Sequence, residues 1–388
     1  MPRGIWMLGF VSLFMDISSE LIHGLLPVFM VSALGASALA VGIVEGIAES
    51  TALIVKVFSG VLSDYLGKRK FLAVIGYGLG AASKPLFALA LSVNWVLAAR
   101  FMDRIGKGIR GAPRDALIAD LAPPEIRGAA YGLRQSLDTV GAFIGPLLGV
   151  ALMLAWAGDF RTVFWYAMIP GVFAVLLLLF GVDEPKSAAG ARKAAAPIRW
   201  TTLRELSAAY WFVVAIGGVF TLARFSEAFL ILRAQQQGLP DAYAPLVLVV
   251  MNVVFALAAY PLGRLADRMS HMTLLQIGLV TLIVADLVLA QAQGLVAVAV
   301  GVALWGLHLG MTQGLLATMV ADTAPTHLRG TAFGFFNLAS GIAMLIASAL
   351  AGLLWVSFGA GVTFHAGAVF SFAAVLLLAL RSRRLASA

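Results

Sequence analysis

Cysteine is missing from this chain, and charge is scarce: 12% of its 388 residues are Asp, Glu, Lys or Arg, while 61% are hydrophobic. The first absence excludes disulfides, thiolate metal sites and iron–sulfur ligation. The second excludes a soluble globular domain, because a mean hydropathy of +0.96 over this length belongs to a protein whose solvent is lipid. The constellations of an enzyme are missing as well. There is no GxSxG elbow and no HExxH helix, and RIGKGIR, beginning at Arg104, falls inside an apolar span where a phosphate-binding loop would need a strand before it. No cleavable leader is expected, because the first apolar segment is long, carries acids and lacks a small-residue cleavage site.

What the chain does have is apolar runs of the length, about 20 residues, that an α-helix needs to cross a hydrocarbon core. Twelve are predicted, at 6–33, 38–62, 71–92, 94–118, 128–157, 161–182, 206–235, 242–264, 272–291, 295–320, 330–356 and 361–381. Lys and Arg collect in alternate connections, among them Lys68, Arg69, Lys70, Arg127, Arg204, Arg264, Arg268, Arg329 and Arg381, which sets those connections and both termini in the cytoplasm. The net charge of +8 therefore describes loop topology and is no sign of nucleic acid. A polar, Ala-rich, basic stretch separates two halves, so the expected organisation is 1–182, a cytoplasmic linker at 183–205, and 206–388.

The two halves are copies. DLAPPEIRGAAYG from Asp120 returns as DTAPTHLRGTAFG from Asp322, an offset of 202, and GVLSDYLGKR from Gly60 returns as GRLADRMSHM from Gly263, an offset of 203. Twelve helices in two similar halves, with GVLSDYLGKRK between the second and third, resemble the major facilitator superfamily. Gly60, Leu62, Asp64, Gly67, Lys68 and Arg69 fit that family's motif A, echoed by Gly263, Leu265, Asp267 and Arg268. In the fifth span Gly132, Gly141, Gly145, Pro146 and Gly149 resemble its antiporter motif C, with Val150 where a last glycine is usual. Arg104, Gly108, Gly111 and Ala112 resemble its motif B, with Lys107 in place of Gln and Arg110 in place of Gly. The resemblance implies an all-α membrane protein of two six-helix bundles, a role in proton coupling for Arg104, and export.

Ten ionisable residues fall well inside predicted spans: Asp16, Glu20, Glu45, Glu49, Arg100, Asp103, Arg104, Lys107, Arg134 and Asp138. At roughly 3 kcal/mol each, ten lipid-facing charges would cost about 30 kcal/mol, more than a fold's net stability of about 5–15 kcal/mol. They must turn inward, pair or line a wet cavity. Their spacing agrees: Asp16, Ser19, Glu20 and His23 stand at i, i+3, i+4 and i+7, Glu45 and Glu49 one turn apart, Arg134 and Asp138 likewise, and the charges of the fourth span share one face. At the repeat offsets Glu49 becomes Asn252, Arg100 Val302, Asp103 Trp305, Arg104 Gly306, Lys107 Leu309, Arg134 Phe336 and Asp138 Ser340. Glycines of the frame survived the duplication and the central charges did not, which assigns the charges to function.

The expected function is proton-coupled antiport of a small organic solute, anionic, zwitterionic or amphipathic, by a monomer in the inner membrane among its lipids. Glu20, Glu49, Asp16 and Asp138 are the candidate proton carriers, modulated by Arg104. Arg100, Asp103, Lys107, Arg134 and Glu45, with Arg224, Glu227, Asn252 and His308 from the second half, are the candidate solute contacts. Gly60, Asp64, Gly67, Arg69, Arg110, Arg114, Asp115, Asp267, Gly141, Gly145 and Pro146 are assigned to gating. No cofactor and no resident metal are expected. A divalent-metal exporter and a proton-coupled importer remain as alternatives. Lys84, Arg233 and Asp286 are read as interfacial or structural and stay outside the candidate site.

Overall fold

A chain with this much apolar surface must satisfy its backbone polar groups within each crossing segment, and helices do so. The computed structural model describes residues 1–184, 204–266, 269–312, 314–325 and 328–386, and no strand forms among them. The helices are α1 (Arg3–His23), α2 (Ala38–Leu66), α3 (Arg69–Ala88), α4 (Val93–Leu121), α5 (Arg127–Ala155), α6 (Phe160–Gly181), α7 (Ala208–Ala223), α8 (Ala228–Gln236), α9 (Leu246–Ala266), α10 (His271–Ala290), α11 (Leu295–Thr312), α12 (Leu315–Thr323), α13 (Arg329–Phe358) and α14 (Ala360–Ala386). Side chains cap several starts: Ser92 accepts from Trp95 N–H, Ser207 from Tyr210 N–H and Ser270 from Thr273 N–H. The α2–α3 turn runs through Gly67, whose φ of +65° suits glycine.

Eleven helical stretches among the described residues are long and apolar enough to cross a membrane. The remaining expected span, the fourth, forms α4, 29 residues and continuous, which stands apart because it carries the charged stripe.

Three expected spans are broken where continuous helices were predicted. The first turns at Gly24–Leu25, because Pro27 has no N–H for the carbonyl of His23, and it re-forms as Leu26–Val28 and a wide π turn at Phe29–Ala33. The seventh breaks between α7 and α8 at Arg224–Glu227. There the Ser226 N–H donates to Ser348 Oγ at 3.2 Å, and Ser226 Oγ accepts from Ala228 N–H at 3.2 Å, so side chains take over the backbone bonds. The tenth breaks ahead of α12 at Gly314, whose φ is +79°.

By internal contacts the chain forms two units, Met1–Met30 with Ile47–Pro197, and Val31–Gly46 with Ile198–Ala388. In the first unit α3 packs on α4 and α6, and α1 on α5 and α6. One end of it is filled by Ile5, Leu8, Tyr77, Leu117, Ile118 and Leu178. In the second, α11 packs on α9 and α10, α10 on α14, and α7 on α13 and α14, around Tyr210, Ile216, Leu279, Val320 and Leu378. The early part of α2 belongs to this second unit, where Gly42 and Gly46 bring it onto Ser348 and Leu345 of α13.

Candidate functional site

The charged face of α4 turns into the first unit. Arg100, Asp103, Arg104 and Arg110 are all buried. Glu49 on α2 meets this face: its Oε1 lies 3.2 Å from Arg104 Nη2 and 3.9 Å from Arg100 Nη2. Its side chain nevertheless keeps 31% exposure, beside two buried guanidinium groups.

Behind this pair lies a second one. Lys84 Nζ donates to Asp103 Oδ1 at 2.8 Å and to Ser19 Oγ at 3.1 Å, and the Ser83 hydroxyl donates to the same Oδ1 at 3.3 Å. Lys84 is 1% exposed. Burial of an ammonium this deep requires a carboxylate at hydrogen-bond distance, and Asp103 is therefore committed to Lys84. Of the two placements expected for Lys84, interfacial or structural, this is the structural one.

α1 supplies the acids that face this network. Glu20 Oε2 lies 3.2 Å from His23 Nδ1 and is partly open to solvent. Asp16 makes no ion pair or hydrogen bond among the described residues; the charges acting on it are Asp138, Arg110, Glu20 and Lys107. Lys107 is exposed, and its field reaches Asp16, Glu20 and Glu49 together. On α5, Arg134 Nη1 donates to Asp138 Oδ2 at 3.0 Å and its Nη2 to Gln135 Oε1 at 2.6 Å.

The glycines of the fifth span seat these acids. A Cβ on Gly141 would stand 2.6 Å from the Leu13 carbonyl oxygen and 3.0 Å from Asp16 Cβ; one on Gly145 would stand 2.9 Å from the Ile17 carbonyl oxygen and 3.0 Å from Glu20 Cβ. The helices meet backbone to backbone directly under the two carboxylates. Pro146, next to Gly145, is buried.

Farther along α4, the Arg110 guanidinium sits 4.9 Å from the centroid of the Tyr77 ring, an electrostatic contact with its π face. Arg114 pairs with Asp115 at 3.1 Å and donates to Ser12 Oγ at 3.3 Å, and the Tyr131 hydroxyl donates to the Asp115 carbonyl. In the motif A turn, Arg69 donates to Asp120 and to the Ala116 carbonyl, and Gly60 faces Ala112. The Asp64 side chain, Asp267 and Arg268 lie outside the described residues.

The remaining candidates belong to the second unit. Glu45 is buried on the segment between Gly42 and Gly46. Arg224 and Glu227 both sit in the α7–α8 break; the Arg224 guanidinium lies 5.3 Å from the Phe220 ring centroid, and its Nε is buried without a partner among the described residues. His308 is fully buried, with Nδ1 2.7 Å from the Gly278 carbonyl and its ring 5.6 Å from Phe220. Asn252 is half-buried on α9. The structure thus brings Asp16, Glu20, Glu49, Arg100, Asp103, Arg104, Lys107, Arg134 and Asp138 into one unit, and gathers Arg224 and His308 around Phe220 in the other.

Two residues read from the sequence as interfacial or structural, and left outside the site, are buried in the second unit. Arg233 is 7% exposed and donates to the carbonyls of Leu289, Ala290 and Ala292, capping the C-terminal end of α10. Asp286 is fully buried and accepts from Trp305 Nε1 at 3.0 Å. The repeat offset of 202 held the signal for Asp286, since it places Asp286 opposite Lys84 just as it places Trp305 opposite Asp103.

Comparison with known proteins fits this geometry. The family model of the Major Facilitator Superfamily matches residues 8–348. An uncharacterized MFS-type transporter of Methanocaldococcus jannaschii is 31% identical, over 97% of this chain and 94% of its own length. The inner membrane transport protein YajR of Escherichia coli is 24% identical over 95% of this chain and 81% of its own. Among solved structures, a POT family transporter in complex with 5-aminolevulinic acid superposes with a TM-score of 0.81 at 12% identity, covering 98% of this chain and 95% of that one. With the family model spanning most of the chain, this all-helical, multi-pass membrane protein belongs to the major facilitator superfamily and is a transporter of a small-molecule solute, not an enzyme.

Proposed function

We propose that the chain is a proton-coupled antiporter exporting a small organic solute by alternating access, as a monomer in the inner membrane with both termini in the cytoplasm. The observation that carries the reading is the position of Glu49: clamped by Arg104 and Arg100, yet 31% exposed. A carboxylate released from that clamp can take a proton from water or a cationic group of the solute, and it accommodates only one at a time. Exclusive occupancy of one carboxylate is what makes two flows oppose each other. Glu20 is placed for the same exchange. Lys107, exposed within the field of both acids, is available to an anionic group. Among anionic, zwitterionic and amphipathic solutes, the zwitterion uses both charges. The close seating of α5 under Asp16 and Glu20 by Gly141 and Gly145, the glycines of the antiporter-like motif, supports export.

Proteoliposomes loaded in turn with a panel of radiolabelled zwitterions supply the test. An imposed pH gradient drives the solute against the proton flow in the wild type, while Glu49→Gln and Glu20→Gln keep gradient-free exchange and lose the driven component. A second reading follows from the same clamp. A purely anionic solute on Arg100 and Arg104 needs Glu49 protonated while it is bound, and then proton and solute travel together. Flux down the proton gradient supports that importer; flux indifferent to pH removes both.

A further inference from the structure

The two units solve one packing problem differently. At a constant offset of 202, Lys84 corresponds to Asp286 and Asp103 to Trp305. In the first unit the pair is an ion pair at 2.8 Å. In the second, at the same positions, a carboxyl group meets an indole N–H at 3.0 Å, with no cation paired to it among the described residues. The correspondence is structural as well as numerical. Gly76 on α3 packs on Arg110 of α4, and Gly278 on α10 packs on Thr312 of α11, again at the offset of 202.

Asp286 is 0% exposed. Its Oδ1 accepts from Trp305; its Oδ2 is buried without a hydrogen-bond partner among the described residues and faces Gly367 of α14, where a Cβ would stand 2.5 Å away. The titratable groups on the packed elements are engaged elsewhere. His308 on α11 is on the Gly278 carbonyl, Arg233 on the carbonyls that end α10, and Arg224 over Phe220. On α14, His365 is exposed, and on α12 Asp322 lies 3.9 Å from His271 at the other end of α10. An ionised carboxylate held in protein by one neutral donor is unstable by several kcal/mol, whereas a carboxylic acid there is not. Its cover is the α7–α8 break. Phe225 belongs to that break, is 4% exposed, and packs against Trp305 at 5.9 Å and Phe364 at 5.6 Å between ring centroids.

We infer that Asp286 is a second proton-binding site, holding its proton on Oδ2 while the Arg224–Glu227 break is closed and releasing it to water when Phe225 is displaced. In that step the Oδ2–H bond breaks, the proton passes to water, and the carboxylate keeps the Trp305 N–H. The site rests on the proton-coupled reading only for its use in transport; the protonation stands on the packing around Asp286.

Infrared difference spectra of the full chain in liposomes, recorded over a rising pH series, test it. The wild type loses a protonated-carboxyl C=O stretch that Asp286→Asn lacks throughout. Trp305→Phe, which removes the donor to the carboxylate, carries the band to higher pH. Phe225→Ala, which admits water, moves its loss to lower pH. Wild-type and Asp286→Asn spectra that superimpose across the series overturn the inference, as does a band that Trp305→Phe leaves in place. Solute flux on the same liposomes separates the two proposals. A titrating Asp286 band with pH-indifferent flux leaves this site standing and removes proton coupling; gradient-driven flux with no Asp286 band does the reverse.

Discussion

Set side by side, α2 with α4 in the first unit and α9 with α11 in the second use the same close contacts for different chemistry. Gly108 on α4 admits Val55, where a Cβ would stand 2.6 Å away, and Gly310 on α11 admits Ala258, 2.8 Å from its Cβ position. These partners correspond at the repeat offsets. One turn from Gly108, Arg104 holds Glu49; one turn from Gly310, the equivalent Gly306 lies directly on the Met251 carbonyl, and Asn252 stands where Glu49 would. The contacts that bring helices together were kept, and the charges beside them were free to change. The second unit therefore packs without the central charges, and under the proposed reading the first unit retains them to handle proton and solute.

The comparison is sharpened most by one substitution made in both units. Asp103→Asn leaves the buried Lys84 ammonium without its carboxylate and is expected to cost about 3–5 kcal/mol, by the measure of broken buried ion pairs. Asp286→Asn replaces a group already uncharged and is expected to cost under about 1.5 kcal/mol, the worth of one hydrogen bond. Reversible unfolding of the two variants in the same detergent reads the difference. Equal costs would mean that Asp286 carries a charge and that the units are electrostatically alike.

A smaller effect is expected at the α1–α5 contact. Gly145→Val places side-chain atoms against the Ile17 carbonyl under Glu20, an overpacking of about 1–3 kcal/mol that also weakens driven flux by shifting Glu20. Undiminished coupling in that variant would detach the glycine motif from the acids above it. The smallest difference is between Gly108→Ala and Gly310→Ala. Because the nearest atom each new Cβ meets is the Cβ of the corresponding residue, at 2.6 and 2.8 Å, their costs should agree within about 0.5 kcal/mol, the limit to which independent sites compare. A clear mismatch would show that the shared frame is less equal than its distances.

Much of this was legible before any coordinates. Apolar run length and the repeat located the helices, and the i, i+4 stripes located Glu49, Arg104, Asp16 and Asp138, because helical period and charge cost are local properties. The helix breaks were not legible. At Arg224–Glu227 the apolar composition runs on across the break, and what stops the helix is a hydrogen bond from Ser226 to Ser348, 122 positions away. Lys84 and Asp286 were left outside the site for a related reason. Each is a single charge toward the end of an apolar run, the usual place for an interfacial residue, and its partner is on the next helix. The commitment of Asp103 to Lys84 likewise appears only once α3 lies against α4.

The central claim is that partly exposed carboxylates of the first unit exchange a proton for solute. Solute flux in proteoliposomes under an imposed pH gradient, wild type against Glu49→Gln, tests it most directly. The account predicts uphill solute movement opposed to the proton flow in the wild type, and gradient-independent exchange alone in the variant. Equal gradient-driven flux in both proteins would contradict it.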